Sequence, residues 1–271
     1  MWDIVNMEVN GLTILVFLLA GIGTGIVNTL VGSGSLITLP IFVFMCGLPA
    51  DVANGTNRIG VLVQSTVGFF AFKRQRPEFA KGNPWLALPC VLGAILGAWL
   101  ATDLDAKTMN NFIGGLMVAM LGVLLINPKR WLKESQTSTL QDRKPLTLFI
   151  FFLIGVYAGF IQAGTGVFLI IALVMVAKYT LRETTGFKLL VVVLLSIPAL
   201  IIFFLSGDVH IGWGLLMAMA QSIGALIAVR FVSKAPNATK WIYRILVFVI
   251  LASASKFLGI YDFLLSLFIV Q

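Results

Sequence analysis

The stretch Gly21 to Leu36, GIGTGIVNTLVGSGSL, decides the fold, because it returns in altered form as Gly155 to Phe168, GVYAGFIQAGTGVF. Each copy belongs to an uncharged run, Gly11 to Ala50 and Pro145 to Ala177, broken near its middle by a hydroxyl residue between two glycines. One helical crossing of a bilayer takes ~20 apolar residues, so each run is too long for one crossing and its polar break is awkward for two ordinary ones. Paired broken helices are a common way to build a binding site inside a membrane.

The rest of the chain agrees with a membrane setting. Hydrophobic residues make up 59% and charged residues 11% of 271 positions, and the mean hydropathy is +1.01; a soluble domain needs more surface charge than this. The apolar stretches are continuous and lack the alternation of an outer-membrane barrel strand, so they are expected to be helices. The net charge of +8 gathers in a few loops, as expected of a multi-spanning membrane protein, and calls for no nucleic acid. Cys46 and Cys90 stand alone in apolar segments without metal-ligand spacing, and neither a cofactor nor a metal is implied. Asp3 and Glu8 precede the first apolar run, opposite in charge to the leading region of a signal peptide, and that run is expected to stay in the mature protein.

Uncharged stretches give five segments per half, at about 11–31, 34–46, 54–73, 84–102 and 109–127, then 147–163, 166–178, 186–205, 211–230 and 240–259. Gly21 and Gly25 match Gly155 and Gly159, Asn28 matches Gln162, and Asn57-Arg58 falls on Phe187-Lys188. The expected fold is an all-α polytopic membrane protein. It has one transmembrane repeat over 1–128, a basic cytoplasmic linker over 129–145 and a second, inverted repeat over 146–271. Basic residues mark the loops around Arg76, Lys133, Arg182 and Lys234; acidic residues mark the other connections and both termini. By the positive-inside rule the basic loops lie in the cytoplasm and the termini in the periplasm. The second and seventh segments are short, so eight or ten crossings both remain open.

Glycines at a break let backbone approach a ligand, and the half-helix that follows presents its N-terminus to an anion. Gly32, Ser33, Gly34 and Ser35, with Gly164, Thr165 and Gly166, are therefore candidates; close helix packing of the kind expected at Gly93 and Gly97, or at Gly114 and Gly115, is the competing account. A nucleotide-loop reading fails for want of a preceding strand and a following lysine. Only 14 residues separate Arg58 from Lys73, so a spanning helix must start well before Arg58 and carry the guanidinium into the membrane, where charges face a cavity or a partner unless they snorkel. Lys188 precedes 19 uncharged residues and has room to sit at the interface instead. Asn28, Asn57 and Gln162 add polar groups that either pack between helices or line a path. No carboxylate lies within an apolar segment, which removes the usual proton carrier, and no catalytic constellation is visible, so no enzyme is expected.

In these motifs the chain resembles the TauE/SafE sulfite-exporter family, bacterial inner-membrane permeases also called the toluene-sulfonate uptake permease family. The resemblance is carried by GIGTGIVNTLVGSGSLITLPIF, ADVANGTNRIGVLVQSTVGFFAF and LGAILGAWL, and by their echoes GVYAGFIQAGTGVF, TTGFKLLVVVLLSIPALIIFF and IGALIAV. It implies secondary transport of sulfite, an organosulfonate or a related small sulfur-containing anion; export is the expected direction, although whether the anion leaves or enters does not follow from the resemblance. Mapped by position, it puts the anion among the two glycine breaks, Asn57, Arg58 and Lys188. The implied partners are that anion and the lipid bilayer; a homodimer stays open, as do a passive anion channel and a non-transporting assembly protein.

Overall fold

The computed structural model describes residues 11–75, 77, 84–125, 145–231 and 251. Among them the regular structure is helical throughout, as expected where no water is at hand and each backbone group must find a partner within its own segment. The helices are α1 (Gly11–Leu30), α2 (Ser35–Pro40), α3 (Ala50–Gln75), α4 (Pro84–Thr102), α5 (Ala106–Leu125), α6 (Pro145–Phe160), α7 (Thr165–Ile171), α8 (Leu181–Leu205) and α9 (Ile211–Phe231). Among the described residues four stretches are long and apolar enough to cross a membrane: Gly11–Leu30, Trp85–Thr102, Glu183–Leu205 and Ile211–Arg230. Large apolar side chains such as Leu15, Leu19, Trp99, Phe204 and Met219 stand exposed on them, which suits lipid and not water.

Short helices α2 and α7 each run into a single π turn, Ile41–Met45 and Ala172–Val176. The two copies agree bond for bond. Cys46 N–H donates to Ile41 O and Ala177 N–H to Ala172 O, both at 3.0 Å. Gly47 (φ 65°) and Lys178 (φ 61°) then take the same left-handed bend. Glycine does this freely, whereas a lysine is held there against its preference. Neither π turn has a signature in the hydropathy pattern. α3 begins at Ala50, well before Arg58, as the Arg58–Lys73 spacing required. α8 opens on a capping box in which Glu183 N–H donates to Thr180 Oγ1 at 3.3 Å and Thr180 N–H to Glu183 Oε2 at 2.9 Å.

The first helix of each half packs on the fourth helix of the other: α1 against α9, and α6 against α4, with α3 and α8 between them. Glycine makes both seams possible. A Cβ on Gly25 would strike the Gln221 backbone and one on Gly224 the backbone of Ile22 and Ile26; in the other seam, Gly97 meets Val156 and Phe160, and Gly159 meets Ala94. Such backbone contact is how helices gain dispersion energy where lipid removes the hydrophobic drive. The packing reading of Gly93 and Gly97 thus holds, but Gly115 has nothing within 4 Å among the described residues. The segment at 240–259, most of the linker at 129–145, and the charge markers Arg76, Lys81, Lys133 and Lys234 lie outside the described residues.

Replacing Gly97 or Gly224 with valine should destabilise the purified protein by ~1–3 kcal/mol or more through overpacking, and Gly115→Ala should change it by less than ~0.5 kcal/mol. Thermal unfolding in detergent measures the difference, and equal losses at the three positions would contradict the seam.

Candidate functional site

α1 and α6 both end inside the protein, and a helix that ends leaves its last carbonyls without an intrahelical donor. Beyond α1 the chain turns through Gly32 (φ 83°), and beyond α6 through Gly164 (φ 74°). The two breaks touch: Gly166 N–H donates to Gly32 O at 3.0 Å. A Cβ on either glycine would fall on the backbone of the other, so no larger residue fits at this contact.

A cation from the opposite half satisfies each exposed helix end. Lys188 on α8 donates from Nζ to Thr29 O at 2.9 Å and Asn28 O at 3.4 Å in the last turn of α1. Arg58 on α3 donates to Ala158 O at 3.1 Å, to Phe160 O at 3.4 Å and to Gly159 O in the last turn of α6. Positive charge at a helix C-terminus is favourable, more so when buried. Asn54, one turn before Arg58, also donates to Phe160 O, at 2.8 Å, and the guanidinium carbon lies 4.2 Å from the centroid of the Phe203 ring. Both cations are enclosed: Arg58 is 0% and Lys188 1% exposed. Neither snorkels, and the interfacial option for Lys188 falls away.

Amides and hydroxyls tie the breaks to α3 and α8 in matched fashion. Asn28 Nδ2 donates to Gln64 Oε1 at 2.5 Å on α3, and Gln162 Nε2 donates to Ser196 Oγ at 2.6 Å on α8. Asn57 Nδ2 donates to Ser35 Oγ at 3.0 Å. Gln221 Nε2 reaches Thr24 Oγ1 at 3.2 Å and Thr38 Oγ1 at 3.0 Å. Ser33 Oγ, Asn54 Oδ1, Asn57 Oδ1, Arg58 Nε, Gln162 Oε1 and Gln221 Oε1 are buried without a partner among the described residues, an unusual concentration of unmet polar atoms for one region.

A cavity lies where these groups converge. It is lined by Asn28, Gly32, Ser35, Ser65, Gln162, Thr165, Gly166 and Lys188, with Val61, Leu189 and Val192 as its apolar wall. The room open to a water molecule's centre amounts to about 10 Å³, roughly what one water needs. Of the residues singled out by sequence, Asn28, Gly32, Ser35, Gln162, Thr165, Gly166 and Lys188 face this space. Asn57 is one hydrogen bond away through Ser35, while Ser33, Gly34 and Gly164 shape the bends: Gly34 rests on Thr24 and Asn28, and Gly164 on Met120. Arg58 does not line it. The first N–H groups of α7 are taken, Thr165 by Gln162 O at 3.4 Å, Gly166 by Gly32 O and Val167 by Gly164 O at 2.9 Å. Ser65 was missed, although it follows Asn57 and Val61 at four-residue spacing and so shares their helix face.

Outside this centre, His210 caps α9: its Nδ1 accepts from Trp213 N–H at 3.2 Å, while its own N–H donates to Thr56 Oγ1 at 2.8 Å. Neighbouring Asp208 is held above the ordinary carboxylate range by burial and then by the charge of Asp51.

The profile of the sulfite exporter TauE/SafE family matches residues 17–257. The chain belongs to this family. Relatives of this TauE/SafE protein include the probable membrane transporter protein ORF9 of a Sinorhizobium species, 27% identical over 87% of this chain and 88% of the relative. A probable membrane transporter protein of Haemophilus influenzae is 23% identical over 78% and 82%. YfcA of Escherichia coli K12, also named a probable membrane transporter protein, is 26% identical over 77% and 76%. No solved structure matches the chain. It is a member of a membrane transporter family, with its polar groups gathered at two helix breaks.

Arg58→Ala should leave the Ala158 and Gly159 carbonyls of α6 without their side-chain donor while Asn54 still serves Phe160, at ~1–3 kcal/mol for each group left unmet, and should lower Tm far more than Arg74→Ala at an exposed helix end. Arg58→Lys should recover part of the loss. Equal Tm values for Arg58→Ala and Arg74→Ala would remove the capping role.

Proposed function

We propose that this protein is a secondary transporter of the bacterial inner membrane that exports sulfite, an organosulfonate or a related small sulfur-containing anion. The observation that carries the reading is the cavity at the contact of the two glycine breaks, with the Lys188 ammonium as its one charged wall. Charge selects an anion; Ser35, Ser65, Asn28, Gln162 and Thr165 supply hydroxyls and amides suited to several oxygens around one centre. Arg58 and Asn57 serve as positioning residues, holding α6 and Ser35 in place. Membership in the sulfite exporter family supports sulfur as that centre.

A cavity that admits about one water is too small for such an anion, so loading requires the breaks to separate. This favours alternating access over an open channel. The interlocked pairs α1 with α9 and α6 with α4 support two halves arranged as inverted repeats, 1–128 and 146–271, that shift against each other around a central site. Stretches Ser35–Met45 and Thr165–Val176 at 1.5 Å per residue reach under ~20 Å, short of a ~30 Å hydrocarbon core, and we read them as short packed spans that complete the crossings begun at the breaks. Both termini then face the periplasm.

Proteoliposomes holding the purified protein should show saturable uptake of labelled sulfite, and Gly166→Val should reduce it at least tenfold by blocking the contact with Gly32. Uptake that stays linear at high sulfite would favour a channel; no uptake or binding of sulfite, sulfoacetate or taurine would favour an assembly role. A single cysteine at position 103 should react with an impermeant maleimide in intact cells, and one at position 74 only after lysis. The reverse pattern would invert the topology.

A further inference from the structure

Arg58 and Lys188 occupy matched places, each beneath the broken end of the opposite half's first helix, yet they differ in one chemical property. A guanidinium keeps its charge in any protein, whereas a lysine in an apolar site can give up its proton. Arg58 is bound by three carbonyls and a ring face and lies outside the cavity. Lys188 touches two carbonyls and forms part of the cavity wall. A neutral amine has two N–H groups, and two carbonyls accept them. Its lone pair is the remaining tetrahedral direction, and a third N–H exists only when a proton is added there.

Among the described residues the surroundings hold no counter-charge. Of the elements packed on α8, α1 and α7 carry no titratable group, α4 carries the Cys90 thiol and α6 the Tyr157 hydroxyl, which donates to Ala163 O. α3 brings Asp51, Arg58, Lys73 and Arg74, of which Asp51 stands at the opposite end of the helix from the two exposed cations. On α8 itself Glu183 is engaged in the capping box with Thr180. No ion pair to Lys188 occurs among the described residues. An ammonium enclosed without a carboxylate is costly in hydrocarbon, and an anion in the adjoining cavity would be its counter-ion.

We infer that Lys188 carries a coupling proton, so that anion and proton cross the membrane together and export runs only while the internal anion exceeds what the inward proton gradient would hold; this rests on the reading of the cavity as the anion site. When the cavity is empty, Nζ is a neutral amine that still donates to Asn28 O and Thr29 O. As the anion enters, a proton from the water on that side bonds to the Nζ lone pair, and the new N–H points to the anion. On the far side the anion and the proton both leave, and the amine returns neutral. Each cycle moves one anion and one proton, with no charge beyond what the anion brings and the proton cancels. An arginine at this place would keep its charge throughout, and the anion would cross alone.

The test is labelled sulfite accumulation in proteoliposomes of the full-length protein, with the membrane potential clamped by potassium and valinomycin. A mildly acid pH makes the probe the singly charged bisulfite. Wild-type accumulation should not respond to potential, and Lys188→Arg should gain about a tenfold response per ~59 mV, the value for one elementary charge. A wild-type response of that size overturns the inference while leaving the transport reading intact, and this arm decides even where Lys188→Arg fails to fold. A folded Lys188→Arg protein that transports without responding to potential takes the role away from this lysine. Absence of sulfite flux in the wild type, beyond that of empty vesicles, defeats the transport reading and the inference with it.

Discussion

Two helices that end inside the protein leave carbonyl groups where no water can reach them, and the rest of the structure follows from how those groups are met. An unpaired backbone group at membrane depth costs several kcal/mol, and the last turn of a helix adds a negative pole. A neutral donor would answer the first problem only. A cation answers both, which is why Arg58 under α6 can be retained without a carboxylate at its side, while Lys188 donates to the end of α1 as amine or as ammonium.

Those cations come from the opposite half, so the halves must interlock for either break to be stable. Glycine seams supply the closeness. Where Gly25 meets Gln221 and Gly159 meets Ala94, backbone lies against backbone, and the first helix of each half is fixed beside the other half's fourth. That placement brings the end of α1 within reach of α8 and the end of α6 within reach of α3. The same approach presses Gly32 onto Gly166, with a hydrogen bond across the join. Seams, cations and breaks are thus one arrangement, in which loss of any member leaves buried polar groups unmet.

Much of this was legible in the sequence because its cause is local. An uncharged run too long for one crossing, with a glycine-flanked hydroxyl in its middle, points to a broken helix, and the Arg58–Lys73 spacing alone places Arg58 inside α3. Residues converging on the cavity, from Asn28 to Lys188, were recognisable by their recurrence at matched positions. The partners were not. Arg58 bonds to Ala158, 100 residues away, and Lys188 to Thr29, 159 residues away; no periodicity encodes such pairings. The first half-helix also looked open to an anion from sequence, yet in its twin the leading N–H groups are closed by Gln162, Gly32 and Gly164. The π turns after α2 and α7 escaped notice because a π turn changes hydrogen-bond register and leaves hydropathy unaltered.

The near-symmetry of the backbone makes its chemical asymmetry informative. Bends at Gly47 and Lys178, π turns, seams and breaks all recur, but the two cation sites diverge in what surrounds them. At Arg58 the planar fork is filled by carbonyls of α6, Asn54 shares the same helix end, and the Phe203 ring closes one face. The guanidinium Nε is left unmet among the described residues, but Arg58 does not line the cavity. At Lys188 the second half has Phe187 where the first has Asn57, so the amide that occupies Ser35 has no counterpart, and Phe187 turns instead to stack on Tyr179 at 5.6 Å. The lysine is left with space beside it, bounded by hydroxyls and amides. Matched backbones thus leave unequal chemistry among the described residues, with a polar cavity beside Lys188 and none lined by Arg58.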